Sequence, residues 1–180
     1  MYSSHLIPSL RPVLIGLVLA LLTILYGQGL GIAFGLKEGA IKSRLKASAA
    51  AVRLTVYKDD AAAKVVLDNS WNYMKRAHLH AGGMGTTALA LMILVSLLRP
   101  TRLASLLIGI GLGAGGLGYS VYWMWAGFRA PGLGSTTAAK ESLKWLAMPT
   151  SGAFVLATLA VLILLVSTLV SRRQQDSVDA

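Results

Sequence analysis

Four long runs of uncharged, mainly apolar residues constrain this chain more than any other feature. They cover residues 12–36, 77–98, 103–128 and 146–170. Each is longer than the roughly 20 helical residues needed to cross about 30 Å of hydrocarbon. An apolar content of 55% and a mean hydropathy of +0.64 agree with a membrane protein. The sequence therefore predicts an all-α integral membrane protein, with one domain over residues 1–180 and a bundle of four transmembrane helices.

The segment 37–76 is the one long polar stretch, and it separates the first two runs. Its first part has apolar or small residues at helical spacing, with most cations elsewhere around the axis. Those positions are Ile41, Leu45, Ser48, Val52 and Val56. This pattern predicts an additional amphipathic helix lying at the membrane interface, with its cations near anionic lipid head groups. Lys58-Asp59-Asp60 predicts a turn or a helix start, because aspartate favours N-caps.

The net charge of +10 indicates membrane orientation rather than nucleic-acid binding, because Lys and Arg accumulate on the cytoplasmic side of membrane proteins. Four antiparallel spans put 37–76 and 129–145 on one side, and that side holds 12 of the 17 Lys and Arg residues. We therefore predict that these two segments are cytoplasmic. The expected location is a bacterial-type inner (plasma) membrane, the first run being a retained helix rather than a cleaved signal peptide.

Glycines are placed where helices can approach closely. Gly27, Gly31 and Gly35 recur every four residues and so share one helix face. This face could serve a dimer contact or packing inside the same bundle, and we favour packing inside the bundle because three other spans are available. The third run carries six glycines between positions 109 and 118, which also indicates close packing in lipid.

Two of the chain's three histidines, His78 and His80, lie where the polar segment enters the second run. On a helix Arg76, His80 and Met84 share one face, whereas His78 lies on another. The two imidazoles are therefore expected to meet different neighbours. A metal site would need a second helix, a second subunit or a local distortion.

Aromatic, thioether and imidazole side chains are concentrated on the predicted cytoplasmic side, which holds all four tryptophans. Because aromatic belts normally occur at both interfaces, this asymmetry predicts a binding surface. The candidate cofactor-binding residues are Arg76, His78, His80, Met84, Trp123 and Met124. His78 and His80 are also the candidate metal ligands.

Two functions remain open from the sequence. The first is a non-catalytic subunit or partner of a membrane complex, assembled with other membrane subunits or as a homo-oligomer. The alternative is a redox-related protein that binds haem b, copper or quinone through His78 or His80. The His-x-His entry into a span is similar to patterns in membrane proteins of the haem-copper oxidase type, over a short stretch and without that family's other ligand helices.

Other functional classes are disfavoured. The middle of each run contains no acidic or basic residue, unlike most ion-coupled transporters. The seven carboxylates all lie outside the runs, and with no cysteine there is no thiol nucleophile or thiolate metal site. An enzyme is therefore less expected than a binding or assembly protein.

Overall fold

The structure is a computed structural model that describes residues 10–178, with side chains described through residue 171. This part of the chain contains helices and no strands. The elements are a 3-10 turn at Arg11–Val13 and the helices α1 (Leu14–Ala51), α2 (Arg53–Val56), α3 (Asp60–Leu98), α4 (Arg102–Leu133), α5 (Thr136–Glu141) and α6 (Lys144–Val178). Four of the described helices are long and apolar enough to cross a membrane, which agrees with the number of candidate spans predicted; their placement in a membrane stays a prediction. His5, the third histidine, lies outside the described residues.

Side-chain caps fix where several helices begin. The Asp59 carboxylate accepts a hydrogen bond from the backbone N–H of Ala62 at 2.7 Å, so the predicted helix start at Lys58-Asp59-Asp60 is confirmed. Thr101 and Ser135 cap α4 and α5 in the same way. The α4 helix ends at Gly134, whose φ of 63° is a left-handed conformation that glycine adopts without strain.

The helices of the first two apolar runs continue well beyond those runs. Lys37 interrupts the helical dihedrals of α1 at the end of the first run, and the helix then resumes as far as Ala51. The α3 helix begins at Asp60 and runs without interruption into the second apolar run. The two polar extensions, joined by α2, form an antiparallel pair that we call the polar hairpin (residues 37–76).

The polar hairpin is held together by apolar contacts. Leu45 is buried in a cluster that includes Met74, Trp71 and Phe128, while Tyr57 is buried near the tip. The segment after Lys37 is thus helical, as predicted. Leu45, at the centre of its apolar stripe, packs against Met74 and Trp71 of α3 and Phe128 of α4.

Helix α4 packs against α1, α3 and α6. Its glycines allow these close approaches: Gly109 and Gly113 face Gly16 of α1, and Gly115 faces Phe154 of α6. A cluster that includes Met92, Leu112 and Val161 fills the half of the bundle farthest from the polar hairpin. The glycine-rich third run therefore acts in helix packing, as predicted.

The glycine face of α1 is only partly used inside the chain. A Cβ at Gly27 would lie 2.9 Å from the Ala81 side chain, and a Cβ at Gly31 would lie 2.9 Å from His78. Gly35 has no described atom within 4 Å of such a Cβ. Packing inside the bundle thus explains the first two glycines, whereas Gly35 faces open space.

Candidate functional site

The six predicted site residues lie on two neighbouring helices. Arg76, His78, His80 and Met84 belong to α3, and Trp123 and Met124 belong to α4. The structure brings Arg76, His80 and Trp123 together in one group. The other three lie elsewhere: His78 faces α1, Met84 lies beside Gly116, and Met124 packs with the apolar group around Leu45.

His78 joins α3 to α1 through a backbone contact. Its Nδ1 atom lies 2.7 Å from the carbonyl oxygen of Gly27. Because a carbonyl oxygen only accepts, the imidazole donates from Nδ1, and in the neutral ring Nε2 retains its lone pair. Gly31 supplies the space for the ring, since a Cβ there would lie 2.9 Å from His78 Cε1.

His80 occupies the opposite side of α3. Its half-buried ring is stacked with Trp123 at 6.1 Å between centroids, and it lies 5.2 Å from the ring of Tyr119. The two histidines therefore contact different helices, as their spacing predicted. Among residues 10–171, no three His, Cys, Asp or Glu side chains come together as a ligand group.

The rings around His80 form a compact aromatic cluster, which we define as Tyr73, His80, Tyr119, Tyr122 and Trp123. Trp123 is at its centre, 4.9 Å from Tyr73 and 5.2 Å from Tyr122 in edge-to-face arrangements. Such aromatic pairs each contribute about 0.5–1.5 kcal/mol beyond area burial. The Nε1 atom of Trp123 is buried without a hydrogen-bond partner among the described residues, so the cluster retains one donor that is not satisfied.

Two cations cover the aromatic cluster. The Arg76 guanidinium carbon lies 5.1 Å from the Trp123 ring and 5.6 Å from the Tyr73 ring. Lys140 Nζ of α5 lies 5.9 Å from the Tyr73 ring. The positions fit cation–π attraction, about 0.5–1 kcal/mol at exposed sites. Sequence reasoning missed Tyr73, Tyr119, Tyr122 and Lys140 as members of this group, because only the packing of α5 and α4 on α3 brings them together.

The tip of the polar hairpin is attached to the end of α4. The Tyr57 hydroxyl donates to the carbonyl oxygen of Pro131 at 2.7 Å in a buried contact. Burial raises the pKa of the Tyr57 hydroxyl above its ordinary value. Ser48 and Val56 of the hairpin also lie beside Gly132 and Gly134. These contacts hold the hairpin in a fixed position relative to the bundle.

Comparisons of the chain with models of known families, with curated proteins and with solved structures gave no match.

Proposed function

We propose that this protein is a non-catalytic subunit of a membrane complex, in which four spans hold the polar hairpin at a fixed position outside the bilayer. The observation that carries this proposal is the construction of the hairpin as direct extensions of α1 and α3, attached to α4 through Tyr57 and Pro131. A rigid, charged element held in this way presents one surface to a partner at little cost in conformational entropy.

The proposed placement puts the four apolar runs in an inner (plasma) membrane of the bacterial type. The polar hairpin and residues 129–145 lie on the cytoplasmic side, in agreement with the excess of cations there. Lys75, Arg76, Arg129 and Lys144 flank the runs and contact anionic head groups. Because α3 is unbroken, the 17 residues from Asp60 to Arg76 extend about 25 Å from the start of the second run. In this placement, only the end of the hairpin next to the apolar runs, near Lys37 and Arg76, lies at the membrane interface that the sequence predicted for 37–76.

Polar side chains within the spans support a structural role. The hydroxyls of Thr23, Ser96 and Ser120 each donate to a carbonyl oxygen one turn earlier in their own helix. Bonds of this kind satisfy the hydroxyl without a ligand. They give no support to a polar path across the bundle.

The test is the size and composition of the assembly in the native membrane. After extraction in a mild detergent and chemical crosslinking, we expect the protein in a complex with a different membrane subunit at constant stoichiometry. Arg44→Glu with Lys58→Glu, which reverses two exposed charges of the hairpin, should reduce this complex while the unfolding temperature is retained. A protein that is only monomeric, or that associates only with itself, would contradict the proposal.

A second candidate function is a redox site on His78, and the bond to Gly27 favours it. Histidines that ligate a metal or haem usually donate their other ring N–H to a carbonyl or carboxylate, which orients the ligating nitrogen. His78 has this arrangement, with Nδ1 bound to Gly27 and Nε2 left as the acceptor. Because His80 faces α4, a second axial ligand for haem b or further ligands for copper would come from another subunit.

Spectroscopy tests the redox candidate. If His78 is a redox site, the detergent-purified protein should show a Soret band with reducible α and β bands, or stoichiometric copper. His78→Ala should remove it, whereas His80→Ala should retain it. The redox candidate would be eliminated if protein purified without cofactor loss contained neither haem nor copper and its solvent extract contained no quinone.

A further inference from the structure

A cleft of about 710 Å³ lies between the two arms of the polar hairpin. Its lining comes from the α1 arm on one side and the α3 arm on the other. The charged and apolar residues that matter most are Leu45 and Lys46 on the α1 arm and Lys64, Leu67, Asp68 and Trp71 on the α3 arm. The volume is within the range of about 300–1,000 Å³ that is usual for small-molecule sites.

The cleft has an apolar floor and a charged rim. Leu45 and Ala63 are buried, and Leu67 and Trp71 are partly buried, so apolar surface is available at the bottom. The exposed side chains of Lys46 and Lys64 lie on opposite arms. A molecule in the cleft can therefore meet apolar contacts together with a lysine from each arm.

Existing ion pairs leave some of the rim charges free for a ligand. Lys42 pairs with Glu38, and its Nζ lies 5.0 Å from the Trp71 ring. Asp60 pairs with Arg53 at 2.6 Å. Within the part of the chain that the structure describes, Lys46, Lys64 and Asp68 form no ion pair. Two lysines against one carboxylate favour an anion.

The distance between the cleft and the start of the apolar runs favours a soluble ligand over a lipid. Lys64 precedes the second apolar run by 13 residues, or about 20 Å of helix. Head groups occupy only about 5–8 Å on each side of the hydrocarbon. In the proposed placement, Lys46 and Lys64 therefore face water, while Trp71 and Asn72 lie nearer the membrane.

We propose that the cleft binds a small organic phosphate. The phosphate lies between Lys46 and Lys64, where charge-assisted hydrogen bonds from both arms converge on it. Its apolar or aromatic body lies on Leu67 and Trp71, and the Asn72 amide offers a donor and an acceptor to polar groups on that body. This assignment goes beyond assembly with a membrane partner; it rests on the proposed placement of the hairpin outside the bilayer and not on the partner.

The test is isothermal titration of the purified full-length protein in EDTA with adenosine monophosphate, glycerol 3-phosphate and inorganic phosphate. At least one of the two organic phosphates should bind about tenfold or more tightly than inorganic phosphate. Lys46→Gln with Lys64→Gln should weaken its binding by about tenfold or more. Asp68→Asn should increase the affinity for that organic phosphate, because it removes a carboxylate that repels the phosphate.

The matched control is Lys58→Gln with Lys75→Gln, which removes the same charge from exposed lysines outside the cleft. It should leave affinity within about twofold. Helix content and unfolding temperature establish that each variant is folded. No saturable binding of either organic phosphate, equal affinity for inorganic phosphate, or equal losses in the two double variants would overturn the proposal. The purified chain is titrated alone, so failure here leaves the subunit proposal untouched.

Discussion

The imidazole of His78 and the backbone of Gly27, 51 residues apart in the chain, are joined by a hydrogen bond of 2.7 Å between α3 and α1. The bond forms where the charged segment enters the second apolar run. The hydrogen bond also depends on Gly31, because the absence of a side chain at that position leaves room for the imidazole ring. A histidine that sequence alone presents as a ligand thus has a structural contact of its own.

Replacement of Gly31 by alanine tests this contact. The new Cβ would lie 2.9 Å from His78 Cε1, so we expect the ring to turn and lose its bond to Gly27. We expect the lost bond, about 1 kcal/mol, to cancel the gain of about 1 kcal/mol from replacing a helical glycine. Thermal unfolding in detergent measures the net change. The control is Gly29→Ala in the same helix, where no atom of another described helix lies within 4 Å of the new Cβ. Equal stabilisation by the two substitutions would contradict the structural role of the His78 bond.

Gly16→Ala should be much more damaging. Its Cβ would overlap the backbone carbonyl of Gly109, and backbone atoms cannot move aside as a side-chain end can. We expect a loss of about 1–3 kcal/mol or more in the free energy of unfolding, from the separation of α1 and α4. Equilibrium unfolding in mixed micelles measures it, and a stability equal to that of Gly29→Ala would show that these helices do not pack as described.

Tyr57→Phe should loosen the polar hairpin without unfolding the spans. The substitution removes the hydroxyl that donates to the buried Pro131 carbonyl, which keeps the Gly134 N–H as a second donor, so we expect a cost of about 0.5–1.5 kcal/mol. Hydrogen exchange should accelerate around the hairpin tip and remain unchanged in α6. Thr55→Ala is the control, because that exposed hydroxyl bonds only to its own turn. The same exchange pattern in both variants would mean that the Tyr57 bond does not hold the tip.

Alkaline pH should break the hydrogen bond between the Tyr57 hydroxyl and the Pro131 carbonyl. Burial raises the pKa of the Tyr57 hydroxyl in the folded protein, so the neutral form is favoured by folding. The stabilisation is fully present below the unfolded pKa of about 10 and is lost as pH rises through the higher folded pKa. Limited proteolysis of the hairpin between pH 8 and 12 should show an alkaline step that Tyr57→Phe lacks. An unchanged step in the variant would assign it to another group.

Single cysteines can test the proposed orientation, because the chain contains no cysteine. Thr55→Cys places a thiol on the polar hairpin, and Arg102→Cys places one at the turn between α3 and α4; both positions are exposed. A membrane-impermeant maleimide applied to intact spheroplasts should label Arg102→Cys and reach Thr55→Cys only after lysis. The opposite pattern would place the hairpin outside the cytoplasm.

Local chemistry explains why much of the fold could be predicted. The span count follows from uncharged runs long enough to cross a bilayer, and the start of α3 follows from Asp59, whose side chain caps the backbone three residues later. The divergence of His78 and His80 follows from helical periodicity alone. These features depend on residues within a few turns of one another, so a single sequence contains the information needed.

Packing between distant segments decided which residues contact one another, and helical periodicity could not predict those contacts. The stripe around Leu45 resembled a membrane-facing surface, but α3 and α4 supply a protein surface that covers it. Tyr57 gains its partner from a residue 74 positions away, and Lys140 reaches the aromatic cluster only because α5 packs beside it. The sequence by itself determined the number of long apolar helices, the start of α3 at Asp59 and the different faces of His78 and His80, because these follow from local hydrogen bonding, helical periodicity and the length of the apolar runs. The tertiary structure decided which faces meet, and therefore the bond to His78, the composition of the aromatic cluster and the cleft, because these depend on contacts between distant segments that close only when the helices pack.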